Sequence, residues 1–467
     1  MPALRTVTLT TPVPRARVLL YAPTLYEAGF KQHHVDGEAL ALHAHLRAAG
    51  HASLLLDAYY RARQAPTLDD ILTERGPFDA VIVHLWTSDA YGPRLATIAE
   101  DLAVARARHK VPVVGFGPLA TSAADELAAH GAIDHVVGLA RDTPTIGEPA
   151  VAALVADAAA HLTGYAPLTG LTGDDVPCLP DAVVSVSASR GCRSRCTFCA
   201  YNADLAGGWS ELPMNAAVAD IAHLHQLTGA TRFAFADTDF GGTAIDCRRR
   251  AFTLLDQLRG HHLAGVVRLS INVRSETLTP STIAVLGEAG VDVMLIGVES
   301  FNPTTLHRLY GKRQDLDHLA RVVAAADAAG ITTVASYILW HPWQTLESLR
   351  LELAAIDAFG RHRIPQFMAR SRLLVIPGTV AETQIRRAGL LDAAPFHRHF
   401  RFADPEAAAV HAAMTDWFTQ HAAPVLAHLS ENHADDLMTL AELKIGEWRW
   451  LIDTVAATGI RPAGTGR

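Results

Sequence analysis

Three of the chain's five cysteines, Cys192, Cys196 and Cys199, fall within eight positions of the stretch SVSASRGCRSRCTFCAYN. A C-x3-C-x2-C loop offers three thiolates to one small volume, and soft sulfur ligands suit zinc or an iron–sulfur cluster. Structural zinc takes four closed ligands, and neither Cys178 nor Cys247 has a paired spacing that nominates it as the fourth. A cubane cluster on three cysteines would instead leave one iron open to a small molecule. The neighbours Arg190, Gly191, Arg193, Ser194 and Arg195 make a polar loop, which argues against thiols buried as small hydrophobes.

The elements that must position this loop show in the apolar periodicity. Residues 17 to 138 alternate short β-branched runs (RVLLYAP, ASLLLDAY, DAVIVHLW, VPVVGFGP, IDHVVGL) with helical stretches, the rhythm of a doubly wound parallel sheet. The stretch TGYAPLTGLTGDDVPCLPDA lacks an apolar period and reads as a linker. A second βα series follows: AVVSVSAS, TRFAFAD, VVRLSIN, VDVMLIGV, TTVASYIL and FMARSRLLVI. Six units predict a partial (βα)6 barrel, in which chemistry gathers where strands end. The cysteine loop follows the first strand of that series. Asp237 and Asp239, Asn272 and Arg274, and Glu299 and Ser300 follow later ones. The expected division is therefore a Rossmann-like domain over 1–165, a linker over 166–182, a barrel over 183–380 and a helical C-terminal domain over 381–467. Trp448, Arg449 and Trp450, beside Glu447, are either substrate contacts or part of a plainly packed helix.

With 467 residues, 49% of them hydrophobic, the chain can fill two or three cores. Its formal charge of −8 gives no global basic field for nucleic acid or an acidic membrane surface. The start lacks a signal-peptide pattern and no charge-free apolar run would span a bilayer, so a soluble, cytoplasmic protein is expected. An odd, small cysteine count is not a disulfide framework.

At CRSRCTFC the chain resembles the radical S-adenosylmethionine (SAM) enzymes, whose signature is C-x3-C-x-aromatic-C, with Phe198 in the aromatic place. The resemblance implies a [4Fe–4S] cluster on Cys192, Cys196 and Cys199, SAM chelating the open iron, and an external low-potential electron donor. It continues over about 200 residues in all. GVDVMLIGVESFNPTTLHRLYGK is similar to the family's fourth-strand segment, which implies that Glu299 and Ser300 approach the amino-acid and ribose parts of SAM. Arg274 resembles the third-strand basic residue, suited to a carboxylate. ILWHPWQTLESL resembles the fifth-strand region, and VIPGT the sixth-strand PGT, at Pro377, Gly378 and Thr379. The second strand departs: ADTDFGG stands where many relatives carry Gly-Gly-Glu, leaving Asp237 as either the partner of the SAM amino group or a helix cap or surface turn. Trp340-His341 replaces the usual small residue before Pro342.

The first domain looks like the cobalamin-binding domain that precedes the barrel in one radical SAM subgroup. That implies a corrin approached by backbone at Gly115 and Gly117, polar contacts from Thr87 and Ser88, and Trp86 over its lower face. A strand-to-helix turn for the glycines and a half-buried aromatic are the plainer alternatives. No D-x-H-x-x-G motif supplies an axial histidine.

The remaining histidines, including those of HLHQL, read as solvated or satisfied. Cys247 reads as structural, and Arg248 to Arg250 as a solvated helix face. No catalytic acid, base or nucleophile is nominated. The expected activity is that of a cobalamin-dependent radical SAM enzyme, a methyltransferase acting on an unactivated carbon of a small-molecule natural product or cofactor precursor. A radical SAM oxidoreductase, cyclase or ring-rearrangement enzyme is the alternative, and a non-catalytic metal-binding protein a further one.

Overall fold

A computed structural model of the chain describes residues 15–23, 34–57, 67–85, 92–137, 149–162, 164–176, 182–201, 208–364, 368–426 and 437–458, with side chains in the last helix described from 442 onward. Six short strands lie in the first third: β1 (Arg17–Ala22), β2 (His34–Val35), β3 (Ala52–Asp57), β4 (Ala80–His84), β5 (Val113–Phe116) and β6 (His135–Val137). All but β2 form one parallel sheet in the order β3-β1-β4-β5-β6. Every residue of β4 and β5 is buried. That follows from apolar runs without alternation, which suit a strand covered on both faces. Leu19, Val81 and Val113 pack on one face with Leu95, Ile98 and Leu102. Leu20, Ile82 and Val114 pack on the other with Leu42, Leu46 and Leu154. The strand order reverses between β1 and β4, and ligands of open α/β sheets bind outside the carboxyl ends at such a point.

The barrel sheet is built from β7 (Val183–Val186), β10 (Arg232–Phe235), β11 (Arg268–Val273), β12 (Val291–Glu299) and β13 (Thr332–Tyr337), all parallel. Its sixth strand is β2, which pairs with β7 through His34–Val183 and Val35–Val184. The anticipated sixth barrel strand makes one parallel bridge, Trp340 to Arg372. A 3-10 turn at Met368–Arg370 precedes it and Pro377 follows it, leaving little room for a ladder. A small antiparallel pair, β8 (Ser189–Arg190) and β9 (Ser210–Glu211), brackets the cysteine loop.

The C-terminal region is not wholly helical. Between the helices Val380–Arg387 and Pro405–His421 stands a hairpin of β14 (Leu391–Ala394) and β15 (His397–Phe400). Its tip anchors on the first sheet: Phe396 is buried in that core and its amide donates to Glu126 at 2.9 Å. Strands of only four residues each, Leu-Asp-Ala-Ala and His-Arg-His-Phe, carry no alternating apolar pattern to announce it. In the last helix, Leu437–Ala457, Trp448 is fully buried in the barrel core, as plain packing requires, and Trp450 is half-buried against that core.

The stretch anticipated as a linker is itself packed. Leu168, Leu171 and Val176 join the barrel core, and the Leu168 amide donates to Asp220 at 2.8 Å. The helix Gly37–Ala48 is capped by Asp36, whose carboxylate accepts from the amides of Glu38 and Ala39 at 3.0 and 3.1 Å. It begins hard against β7, where a Cβ at Gly37 would collide with the Ser185 carbonyl.

A buried polar node ties these parts together at the base of the cysteine loop. Arg190 donates to the His161 carbonyl at 2.6 Å and lies 3.6 Å from Glu38, while the Ser187 hydroxyl donates to the other Glu38 oxygen. Burial pushes His161 down to about 4. Burial would raise Glu38, but Arg190, His161 and Ser187 draw it down to about 2. Both groups bind fewer protons folded than unfolded, so their stabilisation is lost on acidification. For His161 this happens as pH falls from 6.5 through about 4, and for Glu38 from 4.5 toward about 2. His161 should contribute about 2 kcal/mol to the stability that urea unfolding of the wild type loses between pH 7.5 and pH 5, in addition to what His341 and His411 lose over the same window. His161→Leu should remove that contribution; an unchanged pH slope in the variant would contradict the assignment.

Candidate functional site

The cysteine loop is locked at three points. Gly191 opens it with φ 74°, in close approach to the Gly208 carbonyl that leaves no room for a Cβ. At its centre, Thr197 uses a π-helical turn over Thr305–Leu309. The widened turn leaves backbone carbonyls without i−4 partners: the Thr197 amide donates to Tyr310 at 3.0 Å and its hydroxyl to Leu309. The Thr197 carbonyl in turn accepts from Ala381 at 3.0 Å. Ala381 follows Pro377-Gly378-Thr379, where Gly378 has φ 79° and the Thr379 hydroxyl caps the next helix. Phe198 is half-buried and stands edge-on to Tyr310, with ring centroids 5.2 Å apart.

Two ion pairs flank the thiols. Beside Cys192, Arg274 donates to Asp239 at 2.8 Å and to the Gly242 carbonyl. Asp239 holds Arg274 above its ordinary pKa although burial works against the charge. Beside Cys196, Lys312 lies 3.3 Å from Glu299 and donates to the Gly297 carbonyl, and Ser336 reaches both Glu299 oxygens at 3.2 Å. A register shift between Gly297 and Glu299 leaves Glu299 at φ 67°. A non-glycine residue held there costs about 1–3 kcal/mol, and such strain gathers where a side chain is aimed for function.

Burial pushes the Cys192 thiol up, and Cys196 up to about 12. Solvent therefore does not hold these sulfurs as thiolates; a bound metal would. Among the described residues no three His, Cys, Asp or Glu side chains converge to hold one metal ion. Three cysteines can hold a cubane, each thiolate on an iron of its own, whereas a closed structural zinc takes four ligands.

Residues 186–351 match the family model described as Radical SAM superfamily. The chain contains a radical SAM domain. No curated protein matches the sequence. Among solved structures, the radical S-adenosylmethionine methyltransferase TsrM from Kitasatospora setae, with cobalamin and a [4Fe–4S] cluster bound, is similar at TM-score 0.62 and 16% identity, over 81% of this chain and 76% of that one. TsrM with tryptophan substrate and the SAM analogue aza-SAM matches at TM-score 0.60 and 17% identity, over 81% and 77%. The cobalamin-dependent S-adenosylmethionine radical enzyme OxsB, with aqua-cobalamin and S-adenosylmethionine bound, matches at TM-score 0.66 and 12% identity, over 94% and 72%. At these identities the likeness is one of fold, and it spans both the first sheet and the radical SAM barrel.

Within the radical SAM domain the nominated residues divide. Phe198 lies within the cysteine loop, and Arg274 and Glu299 border it. Ser300 does not present its hydroxyl: it is fully buried and donates to Glu352, a buried carboxylate that also accepts from Tyr337 and from the amides of Phe301 (2.8 Å) and Asn302 (3.3 Å). Asp237 is neither a helix cap nor a surface turn. One oxygen accepts from the Ala188 amide at 2.8 Å, the other faces Arg250 at 3.5 Å, and both side chains are fully buried. Burial raises Asp237 to about 6 against the pull of Arg250. Arg250 thus corrects the expectation of a solvated basic helix face, which its exposed neighbours Arg248 and Arg249 do satisfy.

Asp239, Lys312 and Ser336 were not singled out as site contacts. Asp239 stood among the strand-end polar residues, but Lys312 sits in a loop whose only sequence signal is LYGK. Trp340 is buried and donates to Ala369 at 2.7 Å; His341 lies edge-on to Tyr310 at 6.2 Å, and burial pushes its pKa down to about 4. The bulky pair therefore fills the barrel end as packing. His223 and His225 are satisfied by the carbonyls of Leu171 (3.0 Å) and Ala230 (2.8 Å).

In the first sheet, Gly115 lies inside β5, not after it, and a Cβ there would press on Ala120 at 3.1 Å. Close strand-to-helix packing explains it. Gly117, at φ 106°, does follow the strand. Trp86, Thr87 and Ser88 lie outside the described residues. Just before them His84, fully buried, pairs with Asp36 at 3.0 Å; burial opposes the charge but Asp36 raises its pKa. Among the described residues no helix is long and apolar enough to cross a membrane.

Proposed function

We propose that the chain is a cobalamin-dependent radical SAM methyltransferase that acts on an unactivated carbon of a small molecule, in the cytoplasm, with an external low-potential electron donor. The observation that carries this reading is the half-buried Cys192, Cys196 and Cys199 set, fixed at the end of β7 between the Asp239–Arg274 and Glu299–Lys312 pairs. Support for the corrin comes from the first sheet, whose order reverses between β1 and β4, and from fold likeness to two cobalamin-bound structures. When bound, the cluster with SAM would supply a 5′-deoxyadenosyl radical and methylcobalamin a methyl group.

The chain's own residues do the holding. The three cysteines ligate the cluster, and Thr197 keeps their loop against Tyr310 and Ala381. Glu299, strained and braced by Lys312 and Ser336, presents a carboxylate for the SAM amino group, and Arg274 carries its charge beside Cys192 for the SAM carboxylate. Phe198 shields the loop's apolar side. Gly117, with Trp86, Thr87 and Ser88, would border the corrin. Asp237 and Ser300, engaged inside the fold, act behind this surface as positioning residues.

Methylation by this route consumes SAM in two ways, so 5′-deoxyadenosine and S-adenosylhomocysteine should accumulate in equal amounts with the methylated product. Deuterium at the reacting carbon should appear in the deoxyadenosine. Deoxyadenosine without S-adenosylhomocysteine would instead establish an oxidation, cyclisation or rearrangement.

A further inference from the structure

Arg372 stands where the sixth barrel segment touches the sheet, bridged to Trp340. Its guanidinium lies over the Phe400 ring at 4.3 Å and near Phe402 at 5.5 Å, and it donates one hydrogen bond, to the Phe400 carbonyl at 2.9 Å. Burial pushes its pKa down, and no carboxylate of the described residues pairs with it. Other arginines drawn into the fold are matched: Arg190 with Glu38, Arg250 with Asp237, Arg274 with Asp239, Arg370 with Glu447 and Arg398 with Glu126. Arg372 is half-buried, and a partly desolvated guanidinium with no carboxylate partner among the described residues keeps donors free to take an anion.

The groups at Arg372 itself are donors and rings; one carboxylate, Asp392, stands across the hairpin from His399 and pairs with Arg401 at 3.5 Å. His411 stacks edge-on against Trp340 at 5.0 Å and lies 5.3 Å from Phe402. His399, exposed on the hairpin, opens the cluster to solvent. Both imidazoles feel the Arg372 charge, which lowers their basicity in addition to burial. A guanidinium has five N–H donors in a planar fork, and stacking on a ring leaves its edge able to take two oxygens at once.

We infer that Arg372, together with His399 and His411, forms a binding site for an oxyanion, the carboxylate or phosphate group of a small molecule. The hairpin and the helix Pro405–His421 supply its walls, and the segment that carries Arg372 runs on to Ala381, which holds the cysteine loop. The inference needs no cofactor and stands apart from the proposed reaction.

The test uses the full chain without added cofactors, titrated calorimetrically with inorganic phosphate and, separately, with malonate, at ionic strength held constant with sodium chloride. One of the two should bind saturably, phosphate marking a phosphoryl ligand and malonate a carboxylate. Arg372→Gln should weaken that binding at least tenfold with little change in Tm in the absence of the anion. Arg387→Gln, which removes an exposed charge at the end of the helix Val380–Arg387, should leave it unchanged. Where Arg372→Gln fails to fold, Arg372→Lys, which keeps the charge but loses the fork, should weaken binding severalfold. Absence of saturable binding by either anion, or equal affinity in the Arg372 variants, overturns the inference.

Discussion

Single replacement of Cys192, Cys196 or Cys199 by Ala is expected to abolish both cluster assembly and SAM cleavage in the anaerobically reconstituted chain. Each thiolate would hold a different iron, so two cannot do the work of three. Cys247→Ala should leave the cluster intact, because that thiol is fully buried in the barrel core and burial pushes its pKa up to about 12. Cys178→Ala should do the same, since its spacing gives it no place in the loop. Absorbance near 400 nm, acid-labile sulfide and 5′-deoxyadenosine formation report the outcome. Retention of the cluster in any of the three loop variants would break the assignment of that cysteine.

Asp237→Ala is expected to destabilise the protein by about 1–3 kcal/mol, the cost of leaving buried donors without their acceptor while Glu211 still partly offsets the Arg250 charge. The loss leaves Arg250 buried beside the Phe240 ring and the Glu211 carboxylate, 3.3 Å away, and removes the acceptor of the Ala188 amide. Ala188 follows β7 and precedes the cysteine loop, so the damage should reach the site through position, not through contact with SAM. Urea unfolding should register the full effect. A double replacement, Asp237→Leu with Arg250→Met, should recover part of the stability, because two apolar groups leave no charge unmatched. A stable Asp237→Ala with weakened SAM binding would return Asp237 to the role of a direct contact.

The features legible in the sequence share a physical cause. The first sheet's central strands β1, β4 and β5 showed because each is a largely apolar run buried on both faces, and the cysteine loop because its spacing has few structural uses. Glu299 and Arg274 were legible as polar residues at strand ends. Their partners were not. Lys312 reaches Glu299 from a loop beyond a π-helical turn, and neither the turn nor the register shift that strains Glu299 has a periodic signature. Arg250 could not be told from Arg248 and Arg249, since a run of arginines shows no face until the helix is docked. Strand β2 is two residues long and joins the sheet of the other half of the chain, a pairing that local pattern cannot encode. The hairpin escaped for the same reason: its binding energy sits in Phe396 at the tip, inserted into a core built from residues far away in sequence.

The proposed function reduces to two resident cofactors on one chain, and the most direct measurement is the iron, acid-labile sulfide and corrinoid content of the full-length protein. It should be made after anaerobic reconstitution with iron, sulfide and hydroxocobalamin, followed by gel filtration. One [4Fe–4S] cluster and one corrinoid per chain, the latter with a spectrum lacking histidine coordination, are predicted. Tightly bound zinc with no acid-labile sulfide and no retained corrinoid would contradict the account.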